Sequence, residues 1–91
     1  MSITVRIPTP LRGLTENQAS VQATGSTVLE VIENLDALHE GIKEKLTDGT
    51  GEIRRFVNVY VNEEDIRFLN GGNTLLKDGD TVSIVPAIAG G

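Results

Sequence analysis

The sequence has no cysteine and no tryptophan, and its 91 residues include one histidine, one tyrosine and two phenylalanines. Without cysteine there can be no disulfide and no thiolate zinc site, and His39 alone cannot assemble a metal cluster. One small packed core must therefore stabilise the chain, which at this length buries about 60–70% of the surface its unfolded form exposes. No stretch approaches the roughly 18 consecutive apolar residues of a membrane span. The opening MSITVRIP lacks the basic segment and apolar core of a secretion signal, so a cytoplasmic protein is expected, with no membrane partner. Basic residues are scarce as well: eight Lys and Arg against thirteen Asp and Glu give a net charge of −5. That balance opposes phosphate backbones, argues against nucleic acid as a partner and favours proteins with basic docking surfaces.

What the chain does have is two hydrophobic periods. SITVRIP alternates Ile3, Val5 and Ile7 against Thr4 and Arg6, the pattern of a half-buried strand, and Pro8 and Pro10 end it. ASVQATG predicts a second strand with Ala19, Val21 and Ala23 inward and Gly25 at a turn of positive φ, joined to the first by a hairpin through PTPLRGLTENQ. In STVLEVIENLDAL the period changes: Val28, Val31, Ile32 and Leu35 recur at helical spacing, and Leu38 extends the stripe. Ser26 or Thr27 caps this helix, and Thr27 with Glu30 forms a candidate capping box in which the Glu reaches back to the cap amide. HEGIKEKLTDGTGEI places Ile42 and Leu46 at helical spacing among glycines and charges, predicting a short turn of helix and then a loop. RRFVNVYVN predicts a strand with Val57, Val59 and Val61 on one face and Phe56, Asn58 and Tyr60 on the other. DIRFL predicts a short fourth strand, NGGN and KDGD predict turns with Gly79 at positive φ, and TVSIVP predicts a last strand with Val82 and Ile84 inward.

The order β-β-α-β-β-β fits an α+β architecture, a mixed sheet with one main helix packed across it. The ubiquitin-like β-grasp fold shares that order. Catalytic chemistry has few candidates. His39 falls near the predicted helix end, where an imidazole interacts favourably with the helix dipole. NEEDI and KDGD gather carboxylates without the spacing of a calcium loop, and DGTGE and NGGN lack the Lys-Ser/Thr pair of a phosphate loop. The chain reads as a protein acted upon, not an enzyme, with no permanently bound cofactor.

The last six residues are PAIAGG: after Pro86 come Ala87, Ile88, Ala89, Gly90 and Gly91. A glycine pair at this position arises by chance in only about 0.5% of chains at ordinary glycine usage. A run this small in cross-section can thread a narrow channel, and five extended residues reach about 16–18 Å. The domain is therefore expected over 1–86, with 87–91 as a flexible diglycine tail that presents the Gly91 carboxyl to a partner. A carboxylate is a poor acyl donor until ATP converts it to an acyl adenylate, and this chain shows no catalyst for that step.

Taken together, RRFVNVYVNEEDIRFL, LKDGDTVSIVPAIAGG and the diglycine end resemble the MoaD/ThiS-type sulfur carriers of the ubiquitin-like superfamily over nearly the whole chain. The longer middle segment from His39 to Arg55 makes the chain most similar to the carriers that serve cysteine biosynthesis. The resemblance implies that an E1-like adenylating and sulfurtransferase enzyme, using ATP and a sulfur donor, activates Gly91 and leaves a terminal thiocarboxylate. Gly90 and Ala89 would then be the threading residues. A PLP-dependent cysteine synthase would be the sulfur-accepting partner. The alternatives are a modifier conjugated to lysines, a carrier for molybdopterin, thiamin or tRNA thiolation, and a binding domain with an inert tail. Docking to the partner is expected on the sheet face away from the helix, through Tyr60, Phe56, Val85 and Arg67, with Arg6 beside them. The alternative for Phe56 is burial beneath the preceding loop.

Overall fold

Alternation in the first segment produces β1 (Ser2–Arg6), in which Ile3 and Val5 are buried, with Ile7 buried just beyond it. The computed structural model describes residues 2–86, so the expected tail over 87–91 lies outside the described residues. β2 (Ser20–Thr24) returns antiparallel to β1 with Val5 opposite Val21 and Ile3 opposite Ala23. The hairpin connection is itself structured, as a 3-10 helix over Thr9–Thr15 that begins directly after Pro8. Ala19, expected inward, is exposed: the Ile7 N–H donates to its carbonyl at 2.8 Å, but it precedes the first residue of β2.

The main helix α1 (Val28–Leu38) buries Val28, Val31, Ile32 and Leu35 against the sheet. Leu38, expected to continue the stripe, is 66% exposed, because the helix ends there and His39 takes the C-cap position. At the N-terminus the Glu30 N–H donates to Thr27 Oγ1 at 3.2 Å, so Thr27 is the cap. The reciprocal bond differs from the expected box: the Ser26 N–H, one residue earlier, donates to Glu30 Oε1 at 2.9 Å. Segment 26–28 is anchored to residues 74–76 by bonds from Leu76 N–H to Ser26 O and from Val28 N–H to Thr74 O, which set the entry to the helix. Gly25 makes the turn from β2 with φ 152°, and a Cβ there would fall 2.8 Å from Val31 Cγ2, so only glycine fits.

A short helix α2 (Ile42–Leu46) follows, with Ile42 and Leu46 fully buried as their spacing predicts. β3 (Val57–Val61) buries Val59 and Val61 and turns into β4 (Glu64–Asp65) through Asn62 and Glu63. Both turn residues have positive φ, the geometry a two-residue hairpin needs to match strand twist. The expected fourth strand DIRFL is mostly not a strand. Asp65 Oδ1 accepts the Arg67 N–H at 2.8 Å and caps a 3-10 helix over Ile66–Phe68, which buries Ile66. The glycines of NGGN likewise form a 3-10 turn over Gly71–Asn73.

β5 (Thr81–Pro86) completes a five-stranded sheet of order β2-β1-β5-β3-β4. β5 lies parallel to β1 and antiparallel to β3, so the last strand in the sequence is the central one. This is the mixed sheet crossed by one main helix that the element order predicts. Its inner face and α1 enclose one core from Ile3 to Ile84.

Candidate functional site

The same alternation that turns Val5, Val59, Val82 and Ile84 toward α1 turns their neighbours to the opposite face, which no helix of the described residues covers. Register then aligns residues remote in sequence. Arg6 is paired with Ser20 on one side and Ser83 on the other, Ser83 with Tyr60, and Tyr60 with Asp65, so these five form one row across the open face. The next row toward the end of β5 pairs Val85 with Asn58. Tyr60 is half-buried and Val85 is 45% exposed.

Arg67 reaches this face from the edge. Its Nη2 donates to Asp65 Oδ2 at 2.7 Å and to Asn58 Oδ1 at 2.9 Å, which ties β4 to β3 beside Tyr60. Phe56 is not held to the face by register, since it sits in the turn before β3, which the Val57 N–H closes onto Arg54 O. At 66% exposure it is not tucked beneath the loop either. Pro86 is paired with Val57, so residues 87–91 continue from the end of the sheet that carries Val85 and Phe56. Ala89, Gly90 and Gly91 lie outside the described residues.

The sequence reading missed Arg12. The 3-10 helix after Pro8 brings its Nε within 3.0 Å of Ile7 O, to which it donates, and places it at the rim of a groove of about 670 Å³ with Arg6, Tyr60, Ser83 and Val85. The signal available was the pair of prolines that starts a tight helical turn, but no local pattern says which way that turn folds.

Three carboxylates are held below their ordinary value of 3.8. Asp65 is lowered by hydrogen bonds from the Arg67 side chain and amide, Asp48 by the Thr50 hydroxyl and amide, and Asp80 by the Asn62 side chain and Lys77 amide. A depressed folded-state pKa means that the fold favours the charged form. The resulting stabilisation is complete above 3.8 and is lost as pH falls below it through the folded-state values. Asp65→Asn is expected to flatten the acid limb of the melting temperature measured from about pH 5 to about pH 2. Equal slopes for the variant and the parent would show that Asp65 contributes nothing to that limb.

Among the described residues no group of three or more His, Cys, Asp or Glu side chains is placed to hold a metal, and no helix is long and apolar enough to cross a membrane. The open face and the run 87–91 remain as the candidate functional features. The ThiS family profile matches residues 5–91. A sulfur carrier protein of Mycobacterium tuberculosis, CysO, is 52% identical over 93 aligned positions that cover 100% of each chain. A chain of the Amycolatopsis orientalis BexX/CysO complex superposes with a TM-score of 0.92 at 50% identity, covering 98% of this chain and 99% of that one. Small archaeal modifier protein 3 of Haloferax volcanii is 39% identical over 66 residues, 72% of this chain and 71% of its own.

Proposed function

This chain belongs to the ThiS family, and on that premise we propose that it is a sulfur carrier whose C-terminal carboxyl, on Gly91, is the acceptor and donor of the sulfur. The Gly91 carboxylate attacks the α-phosphorus of ATP in the active site of an E1-like enzyme, and pyrophosphate leaves. Hydrosulfide, or the sulfur of a persulfide donor, then attacks the acyl carbon and displaces AMP. With hydrosulfide the product is a terminal thiocarboxylate; with a persulfide it is an acyl disulfide, which a second thiol of the partner cleaves to the thiocarboxylate and a partner disulfide. The thiocarboxylate is nucleophilic near neutral pH and able to attack an electrophile bound by a second partner. The chain supplies no catalyst and no bound cofactor in this scheme; ATP and the sulfur donor belong to the activating partner.

The observation that carries this reading is the whole-length identity with the mycobacterial sulfur carrier. The destination proposed is cysteine biosynthesis, with a PLP-dependent cysteine synthase as acceptor; the resemblance of the segment from His39 to Arg55 to carriers of that pathway supports it. Two properties of the chain suit the role. The five residues after Pro86 span about 16–18 Å when extended, and the absence of cysteine leaves no internal thiol to intercept the activated carboxyl.

The Haloferax relative, named as a modifier, supports a second reading in which lysine amines attack the same adenylate. Intact-protein mass spectrometry of the chain from its native cell, with a sulfur-label control, separates the two. A fraction with one terminal oxygen replaced by sulfur is expected. Lysine-linked adducts through Gly91, with no thiocarboxylate formed even when sulfide or a persulfide donor is present, would establish the modifier instead.

A further inference from the structure

Local charge on the open face runs against the charge of the whole chain. Seven of the thirteen acidic residues fall between Ser26 and Glu52, the stretch that forms α1, α2 and the loop after them. The groove at the opposite face is lined by two of the eight basic residues, Arg6 and Arg12, with Glu63 as its one carboxylate. Arg12 is already oriented by its Nε bond to Ile7 O, which leaves both terminal nitrogens of the guanidinium to face a ligand. Arg6 is exposed, and among the described residues neither arginine stands in a salt bridge. Ser20, Ser83 and Tyr60 add hydroxyls along the same groove.

We propose that this groove is read by carboxylates: the activating enzyme docks an acidic patch on Arg6 and Arg12, beside the strand end from which residues 87–91 continue. The proposal rests on the carrier reading above and adds the chemistry of the partner surface. Guanidinium groups pair with carboxylates through parallel hydrogen bonds, which fix orientation as well as proximity. The groove also has an apolar part, to which Tyr60 and Val85 belong. Charge sets the rate of encounter, while the apolar pair slows dissociation. The acidic helical layer repels the same partner, so the chain approaches with its open face forward.

The test is stopped-flow association with the E1-like enzyme that adenylates this chain, alongside the kinetics of adenylation. Arg6→Glu is expected to lower the association rate and kcat/KM about tenfold, to leave kcat unchanged and to weaken the dependence on NaCl concentration. Arg12→Gln is expected to act in the same direction. Lys45→Glu makes the same change in net charge at an exposed position of α2, outside the lining of the groove, and is expected to shift the rate less than about twofold. Arg6 makes no side-chain hydrogen bond among the described residues, so its variant should keep the parent melting temperature. Equal effects of Arg6→Glu and Lys45→Glu overturn the proposal, as does association insensitive to salt. So does a concentration-dependent dimer that Arg6→Glu abolishes, since the occupant would then be a second copy. A parent chain that no E1-like enzyme adenylates overturns the carrier reading itself, and the docking proposal with it.

Discussion

Deleting Gly91, or adding one residue after it, is expected to abolish ATP-dependent adenylation by a competent E1-like enzyme while leaving the melting transition unchanged. Either change moves the reacting carboxyl by about 3.3–3.6 Å along an extended chain. A misplacement of about 1 Å can cost on the order of a hundredfold in rate, so the loss should exceed that figure. Stability should not respond, because the core among the described residues runs from Ile3 to Ile84 and a glycine has no side chain to add to it. The check is AMP and pyrophosphate release, measured beside a thermal melt of each variant. Normal adenylation of the shortened chain would remove Gly91 from the mechanism.

Replacing Tyr60 and Val85 together with alanine is expected to weaken binding to the activating enzyme about a hundredfold, roughly 2.7 kcal/mol, with the fold retained. Tyrosine is enriched among the few residues that dominate interface energies, because a large ring brings much contact area with little side-chain freedom to lose. Tyr60 lies opposite Ser83 and Asp65, while Val85 lies opposite Asn58. Neither touches the side of the sheet that packs on α1, so truncation removes only cross-strand contacts, worth up to about 1 kcal/mol per position. Calorimetric titration and a denaturant melt of the same variant separate the outcomes. Unfolding with affinity intact in the folded fraction would assign these side chains to the core.

Much of the fold is legible in local periods. The alternation of Ile3, Val5 and Ile7, the helical recurrence of Val28, Val31, Ile32 and Leu35, and the pair Ile42 and Leu46 all identify buried faces correctly, because burial of one face is what selects each period. Local rules fail where a polar side chain competes with the pattern. DIRFL has the composition of a strand, but the Asp65 carboxylate captures the amide two residues on and turns the chain into a 3-10 helix. Ser26 defeats the simple capping box in a similar way, since anchoring to residues 74–76 offers Glu30 a different amide.

By itself, then, the sequence determined which face of each long element is buried, that the elements order as a mixed sheet with a crossing helix, and that residues 87–91 read Ala-Ile-Ala-Gly-Gly. These are local properties, written in neighbours a few positions apart. Only the tertiary structure decided that β5 is central, that Arg6, Ser83 and Tyr60 share a row, and that Arg12 turns over the groove beside them. Strand neighbours are chosen by the global packing of the core and by the crossover that the parallel β1–β5 pair requires. Residues from opposite ends of the chain meet there through register, which no local period encodes.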